Sequence, residues 1–399
     1  MVFLLTCFTV QSQIIPLTDR QRAEQQEFIR HDTLPVSVQR LPDNINTQFS
    51  EYDGLLFSDS TFYYTSMRRD VDEDYAHYFE TNWYCGIYQS KLLPDGSYAK
   101  SEMLPDNINM PNVFNSNFCF NDDRTELIYS RCQRVGTGEL HCALWESART
   151  SKGWSRPKKL PATINMSETS SMQPCLVTYP DKQVLYFVSD RPNGVGELDI
   201  WYSIVKNGHY DPPINAGTVN TEGSEITSFY DKDKGILYFS SDEHLGIGEY
   251  DIFYAEGALS QWGEVSNMGV PYNSDWNDYY FTLNADGKSG YFSSNRPNGL
   301  QATEDTCCND LYRFDWIKKD TVVVHKDTLT LRQKIASVLP ITLYFQNDCP
   351  DPKSLSDTTL TDYKTLLDVY MAEDRAYIAE SAQGLSGDSV DEVRRQMHD

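Results

Sequence analysis

The sequence has far fewer basic than acidic residues. Lysine and arginine together number 34 in 399 residues, against 58 aspartates and glutamates, which gives a formal net charge of −24 at pH 7. Nucleic acids and anionic lipid headgroups are bound by basic surfaces. The charge balance therefore argues against nucleic acid as a partner.

Long apolar segments are also missing. Only the first ten residues are mostly apolar, a run too short for a membrane helix of about 20 residues but of the length found in export signals. We predict a signal peptide over residues 1 to 12 and an exported protein. We expect no segment to span a membrane.

Sequence motifs for catalysis and metal binding are scarce. The chain has no Cys-x-x-Cys pair and no Gly-x-Ser-x-Gly motif, and its seven histidines are scattered without ligand spacing. Asp70, Asp72 and Asp74 have the alternate spacing of a calcium loop, but Tyr75 stands where that loop requires glycine. These aspartates are weak metal candidates in what we interpret as a solvated acidic loop. The sequence predicts no enzyme and no cofactor.

Eight cysteines would follow a cleaved signal peptide. An even number in an exported chain permits disulfides, although buried free thiols are the alternative. Cys132 and Cys142 flank a glycine-containing turn, so we expect them to face each other across a hairpin. The full set is Cys85, Cys119, Cys132, Cys142, Cys175, Cys307, Cys308 and Cys349.

A repeat of about 50 residues dominates the rest of the chain. The segment from Leu185 to Tyr202 recurs from Leu237 to Tyr254 and again, in part, from Gly290. Two markers each occur five times, an aromatic strand that ends in serine and a loop that ends in asparagine. The loops end at Asn46, Asn109, Asn165, Asn220 and Asn273. Turn residues between the markers make each unit a four-stranded antiparallel meander.

Four strands per unit, repeated five times, indicate an all-β fold, a β-propeller of five blades. Six blades are the alternative if residues 66 to 112 contain a degenerate unit. The loop marker first occurs before any aromatic strand. The segment near Thr33 to Asn46 should therefore supply the outer strand of the last blade and protect its open edge.

Several residues of the repeat are candidate site residues. Asp199 and Asp251, each in a Gly-x-Gly-x-x-Asp segment, recur with the blades, so we interpret them as blade architecture. Candidates for ligand binding at a ring mouth are aromatic or basic, although the tryptophans could instead cover blade cores. They are Trp83, Trp154, Trp262, Trp276, Arg68 and Arg69.

The motif Leu-Tyr-Phe-Ser-Ser-Asp with Gly-x-Gly-x-x-Asp-Ile resembles the WD-like propeller repeat of the TolB type over residues 33 to 316. The segment from Thr303 to Tyr312 resembles a closing-blade sequence of Bacteroidota proteins that join such a propeller to an OmpA-like domain. The segment from Leu339 to Asp348 resembles the first strand of that domain. The resemblance implies a linker over residues 317 to 338, and then an incomplete α/β OmpA-like segment over residues 339 to 399 with one amphipathic helix. We expect the chain to be a fragment.

The resemblance implies a cell-envelope protein, in the periplasm or associated with the outer membrane. We expect a non-catalytic scaffold whose propeller binds envelope proteins. A full-length form would reach peptidoglycan through the missing C-terminal part. The alternatives are a glycan- or peptide-binding propeller and, as the weakest, a glycosidase that uses two facing carboxylates.

Overall fold

The computed structural model describes residues 19–31, 35–68, 84–135, 139–297, 299 and 308–317. The predictions for the signal peptide, the linker and the OmpA-like segment lie outside these residues. So do Trp83, Arg69 and the three aspartates of the acidic loop. Within the described ranges, no helix is long and apolar enough to cross a membrane.

The described strands form five antiparallel sheets, so the prediction of a five-bladed propeller is confirmed. Blade 1 consists of β2 (Glu51–Leu56), β3 (Thr61–Ser66), β4 (Gly86–Lys91) and β5 (Glu102–Met103). Blade 2 consists of β6 (Phe114–Phe120), β7 (Glu126–Val135), β8 (Glu139–Thr150), β9 (Gly153–Trp154) and β10 (Lys158–Lys159).

The remaining blades have the same order of strands. Blade 3 consists of β11 (Ser171–Thr178), β12 (Gln183–Ser189), β13 (Asp199–Lys206), β14 (His209–Tyr210) and β15 (Ile214–Asn215). Blade 4 consists of β16 (Glu225–Asp231), β17 (Ile236–Ser241), β18 (Asp251–Ala258), β19 (Gln261–Trp262) and β20 (Ser266–Asn267). Blade 5 consists of β21 (Asp278–Leu283), β22 (Ser289–Ser294), β23 (Asp310–Trp316) and β1 (Val36–Arg40).

The last blade is completed from the N-terminal side, as predicted. β1 pairs antiparallel with β23, from Val36 opposite Trp316 to Arg40 opposite Tyr312. The Arg40 Nε atom also donates to Asp310 Oδ2 at 2.7 Å. This pairing covers the edge that β23 would otherwise leave open.

The second strand of a blade is a run of consecutive apolar residues, because neighbouring blades pack on both faces of it. In β12, Tyr186 packs in the core between blades 3 and 4, whereas Leu185 and Phe187 pack in the core between blades 2 and 3. A strand buried on both faces has no polar face and reads as a continuous apolar run. This explains the aromatic marker of the repeat.

The loop asparagines, defined as Asn46, Asn109, Asn165, Asn220 and Asn273, bind each loop to the blade's third strand. Asn165 is typical: its Oδ1 accepts from the Leu144 amide at 2.8 Å, and its Nδ2 donates to the Leu144 and Leu160 carbonyl oxygens at 3.0 and 2.9 Å. The repeated aspartates are architectural too. Asp199 accepts from the amides of Val195 and Gly196, as predicted for blade structure.

Two features lie at the margins of the repeat. Cys132 and Cys142 form a disulfide across the β7–β8 hairpin, which confirms the prediction. A helix that the sequence analysis did not predict, α1 (Asp19–His31), precedes the ring. The Gln26 Nε2 atom donates to the Gly246 carbonyl oxygen at 2.8 Å, and Arg30 forms an ion pair with Asp275, so the helix contacts blade 4 and the loop after it.

Candidate functional site

The first strand of every blade contains a β-bulge at the same position. Register with the second strand shifts there in all five blades. One residue of each bulge has a positive φ, between 45° and 60°, and none of them is glycine. We call these five residues the axial ring: Asp53, Asn117, Gln173, Thr227 and Tyr280. Non-glycine residues with positive φ are uncommon, and both they and bulges concentrate near functional sites.

Hydrogen bonds join members of the axial ring across blade boundaries. The Asn117 Nδ2 atom donates to the Tyr280 hydroxyl at 2.7 Å, and the Gln173 Nε2 atom reaches the same oxygen at 3.4 Å. The Thr227 amide donates to Gln173 Oε1 at 2.9 Å, and the Tyr280 amide donates to Thr227 Oγ1 at 3.3 Å. Four of the five members are therefore connected by hydrogen bonds, and Asp53 stands beside them in the same layer.

The axial ring forms the inner end of a pocket of about 630 Å³ that follows the first strands toward their hairpin turns. Aromatic side chains line its wall, and charged residues of the turns line its mouth. Concave, largely apolar pockets with a few convergent polar groups are the usual sites of small ligands. The wall aromatics are Phe57, Phe118, Phe120, Phe229, Tyr230 and Phe281, and the charged mouth residues are Asp122, Asp231, Lys232, Asp233, Lys234 and Asp286.

Asp53 is the one carboxyl of the axial ring. Its Oδ2 atom accepts from the Phe118 amide at 2.8 Å. The side chain keeps some contact with the pocket, but protein surrounds it on all other sides. This burial outweighs the hydrogen bond from Phe118 and raises the pKa of Asp53 to about 7. A substantial share of the Asp53 side chains is consequently protonated near neutral pH.

Tyr280 stands beside Asp53 in the ring. Burial raises the pKa of its hydroxyl well above the usual range, and the charge of Asp53 acts in the same direction. Its ring stacks on Tyr52 at a centroid distance of 5.1 Å. The stacking and the two amide donors hold the hydroxyl oxygen in one place.

The mouth of the pocket carries charges of both signs. Lys232 of blade 4 forms an ion pair with Asp122 of blade 2 and donates to the Thr178 carbonyl oxygen of blade 3 at 3.2 Å. Burial acts to raise the pKa of Asp286, but hydrogen bonds from Lys288 and Ser289 outweigh it and lower that pKa. The pKa of the mouth aspartate is thus lowered, where that of the inner aspartate is raised.

The candidate binding residues of the sequence analysis lie apart from this pocket. Arg68 stacks on the rings of Tyr64 and Tyr88. Trp262 donates from Nε1 to the Ala216 carbonyl oxygen at 2.7 Å. Trp154 is 9% exposed, and Trp276, at 41%, is the most exposed of the three candidate tryptophans that the structure describes. None of these four lines the axial pocket.

Sequence reasoning missed the axial ring because its members share a position and no residue type. A signal was present: when the five units are aligned on their aromatic strands, the first strand of each has a polar or tyrosine residue near its middle, different in each copy. As for metals, the described part of the chain brings no three His, Cys, Asp or Glu side chains together in a ligand set.

No family model matches the chain, and no curated protein matches it. Solved structures share the ring. An α-L-arabinofuranosidase from Podospora anserina is 10% identical, with 71% of this chain and 96% of that chain covered and a TM-score of 0.45. A family 117 glycoside hydrolase from Zobellia galactanivorans is 13% identical, with 71% and 90% covered and a TM-score of 0.45. A Trypanosoma rangeli sialidase is 9% identical, with 68% and 56% covered and a TM-score of 0.39.

These comparisons contradict the expectation of a non-catalytic scaffold and of no enzyme. The three similar structures named above are two glycoside hydrolases and a sialidase. Catalytic motifs contiguous in sequence could not reveal such a site, because a pocket at the ring centre takes one residue from each blade. At such low identity the likeness extends to no individual residue.

Proposed function

We propose that the chain cleaves a glycosidic bond in the axial pocket, with Asp53 as the proton donor. The observation that carries the proposal is a carboxyl group with a pKa of about 7 at the inner end of a pocket large enough for a small saccharide. A general acid works best when its pKa lies near the working pH. Glycosidases obtain such an acid by burying a carboxyl group, as here.

Tyr280 is the second reacting group of the proposal. Most glycosidases use a second carboxylate within about 10 Å, but one class uses a tyrosine nucleophile. Asp231 lies four residues beyond Thr227 on its strand, about 13 Å along the wall at a rise of about 3.3 Å per residue. That separation is too long for a carboxyl pair, whereas Tyr280 is in the same layer as Asp53.

The proposed first step moves two protons and exchanges one bond at the anomeric carbon. Asp53 protonates the leaving oxygen as the bond to the anomeric carbon breaks. The Tyr280 oxygen then bonds to that carbon, and its proton goes to the Asp53 carboxylate. Attack by water, with the proton transfers reversed, releases the sugar and restores both side chains.

Export stays a prediction under this proposal. The Cys132–Cys142 disulfide supports it, because disulfides persist in oxidising compartments. An exported glycosidase would meet its saccharides outside the cytoplasm.

The test compares Asp53→Asn with the parent chain on two substrates that share a sugar, a nitrophenyl glycoside and a methyl glycoside. A poor leaving group needs the acid and nitrophenol does not. We expect kcat/KM of the variant to fall about 1,000-fold on the methyl glycoside, and by less on the nitrophenyl glycoside, which loses only the acceptor of the Tyr280 proton. Initial rates over a panel of sugars would first identify the substrate.

The matched control is Asp286→Asn at the pocket mouth, which should change kcat/KM less than tenfold on both substrates. Tyr280→Phe should abolish labelling of the protein by a fluorinated glycoside, followed by intact mass. Equal losses on the two substrates in Asp53→Asn would overturn the role of Asp53. Saccharide binding by calorimetry without turnover of any bound sugar would overturn hydrolysis.

A further inference from the structure

A second cavity of about 550 Å³ lies between blades 1 and 2 and shares no lining residue with the axial pocket. We call it the interblade cleft. Blade 1 contributes Asp59, Tyr63 and Lys91, and blade 2 contributes Arg124 and Trp154. The lining is largely polar, and it borders the apolar core between the two blades at Tyr63 and Trp154.

Four basic side chains line the interblade cleft: Lys91, Lys100, Arg124 and Arg149. The chain as a whole has 24 more acidic than basic residues, so a cavity with this many cations is unusual for it. Asp59, Glu102 and Asp123 are the acidic lining residues. The cleft therefore carries more positive than negative charge, in contrast to the rest of the chain.

Two of the three acidic residues of the cleft already have ion-pair or hydrogen-bond partners within it. Asp59 is shared by Arg124 at 3.0 Å and Lys91 at 3.6 Å. Asp123 accepts from the amide and the hydroxyl of Thr125 at 3.1 and 2.6 Å. Among the described residues, no carboxylate lies within ion-pair distance of Lys100 or Arg149. Lys100 and Arg149 are therefore the two cations of the cleft that can bind an anionic ligand.

Arg149 is held in place by aromatic rings. Its guanidinium lies 5.0 Å from the centroid of the Trp154 ring, a cation–π distance. Burial raises the pKa of Tyr63, while the charges of Arg149 and Arg124 act in the opposite direction, so both guanidiniums lie near that hydroxyl. A guanidinium held over a ring keeps its outer N–H groups free to bind a carboxylate in two-point fashion.

We propose that the interblade cleft binds an acidic saccharide, a hexose-sized ring that carries a carboxylate. The carboxylate would pair with Arg149 and Lys100, and the sugar hydroxyls would meet the polar lining groups of Gln89, Ser90 and Thr125. The volume fits one or two sugar units. The inference is independent of hydrolysis in the axial pocket.

The test is calorimetric titration of the full chain with a glucuronic-acid-containing disaccharide and with its neutral glucose counterpart. We expect the acidic disaccharide to bind and the neutral one to bind at least tenfold more weakly. Affinity should also fall with added salt, because the contact is charged. A sulfated disaccharide forms a third arm and separates a carboxylate site from a general anion site. Equal affinity for acidic and neutral sugars, or tighter binding of the sulfated sugar, would overturn the proposal.

Arg149→Gln and Lys100→Gln should each weaken binding of the acidic disaccharide about tenfold. Lys152→Gln, in the neighbouring hairpin turn but outside the cleft lining, is the matched control and should leave it unchanged. Lys100 is exposed, so its substitution keeps the test valid if Arg149→Gln fails to fold. An unchanged affinity in Lys100→Gln would count against the site. Asp53→Asn should bind the acidic disaccharide as the parent does, which separates this test from that of the axial pocket.

Discussion

The loop asparagines and the axial ring each occupy one equivalent position in every blade, yet they differ in how strictly the residue type repeats. All five loop positions hold asparagine, and the amide is used to hold backbone to backbone, as at Asn165 and Asn220. The axial ring has the same backbone bulge five times with five different side chains. A position that carries structure has one chemical solution, whereas a position that faces a shared pocket can hold a different group in each blade.

At a third set of equivalent positions, the residue type repeats less strictly than at the loop asparagines and more strictly than in the axial ring. Arg131, Arg191 and Arg296 each stack on two aromatic rings of their blade and donate to the carbonyl oxygen before the loop asparagine. Arg68 stacks in the same way in blade 1. Blade 4 has His244 there, with its Nε2 atom 3.0 Å from the Val219 carbonyl oxygen. We call the four arginines the stacked cations, and with His244 in blade 4 the residue type repeats at four of the five positions.

The largest expected effect is at a loop asparagine. Asn165→Ala leaves the Leu144 amide and the Leu160 carbonyl oxygen without partners in a buried site and removes one of two bonds to the Leu144 carbonyl oxygen, so we expect a loss of about 4 kcal/mol in the free energy of unfolding. Gln173→Ala in the axial ring removes the bond from the Thr227 amide and the long bond to the Tyr280 hydroxyl, and should cost about 1 kcal/mol. Urea denaturation of both variants checks the ratio. Equal losses would break the comparison.

A stacked cation should have an intermediate effect. Arg191→Met keeps the volume but loses the bonds to the Thr163 and Ile164 carbonyl oxygens, so we expect a loss of about 2 kcal/mol. His244→Arg makes blade 4 like its neighbours and should gain about 1 kcal/mol. Denaturation midpoints measure both. A loss of stability in His244→Arg would show that blade 4 is built around histidine.

Two carboxyl groups of one strand, Asp53 and Glu51, should make the free energy of unfolding depend on pH, and a substitution separates their contributions. Burial raises the pKa of both to about 7. Each group then holds a proton in the folded state that the unfolded state releases above pH 4, so the free energy of unfolding should fall between pH 4 and pH 7. Asp53→Asn should remove its share, about 2 kcal/mol after allowance for its partial exposure. Denaturation curves at pH 4.5 and 7.5 measure the effect. If Asp53→Asn lost as much free energy of unfolding between the two pH values as the parent chain, the pKa of Asp53 would not be raised.

The smallest effect is expected at the pocket mouth. The ion pair between Lys232 and Asp122 is partly exposed, so Asp122→Asn should change the free energy of unfolding by less than about 0.5 kcal/mol. Thermal melts at low and high salt measure it. A larger loss would mean that the mouth stabilises the ring as the loop asparagines do.

The blade count, the closure by residues near Val36 and the disulfide could be predicted because each rests on a local or repeated signal. The apolar run of β12 and the loop ending at Asn165 read the same way in each copy. The structural role of Asp199 followed from its recurrence. Because every blade has the same physical requirements, the sequence repeats a pattern from which they can be predicted.

The site could not be predicted in this way. Asp53 and Tyr280 are separated by more than 200 residues and become neighbours only when the ring closes. The raised pKa of Asp53 is a product of burial, which no local motif encodes. Trp154 and Trp262 were candidates for ligand binding, but their matching positions in the repeat also predicted that they cover blade cores, and they pack on Phe120 and Tyr230.

The pairing of β1 with β23 has a consequence for the order of assembly. The strand Val36–Arg40 is synthesised before any blade, yet its partner Asp310–Trp316 is the last described strand of the ring. Blade 5 therefore cannot be complete until some 270 residues have followed, and β1 has to wait unpaired during that time. Such distant contacts slow folding and leave an unpaired strand open to association meanwhile. The axial pocket, to which all five blades contribute, comes into existence only with that final pairing.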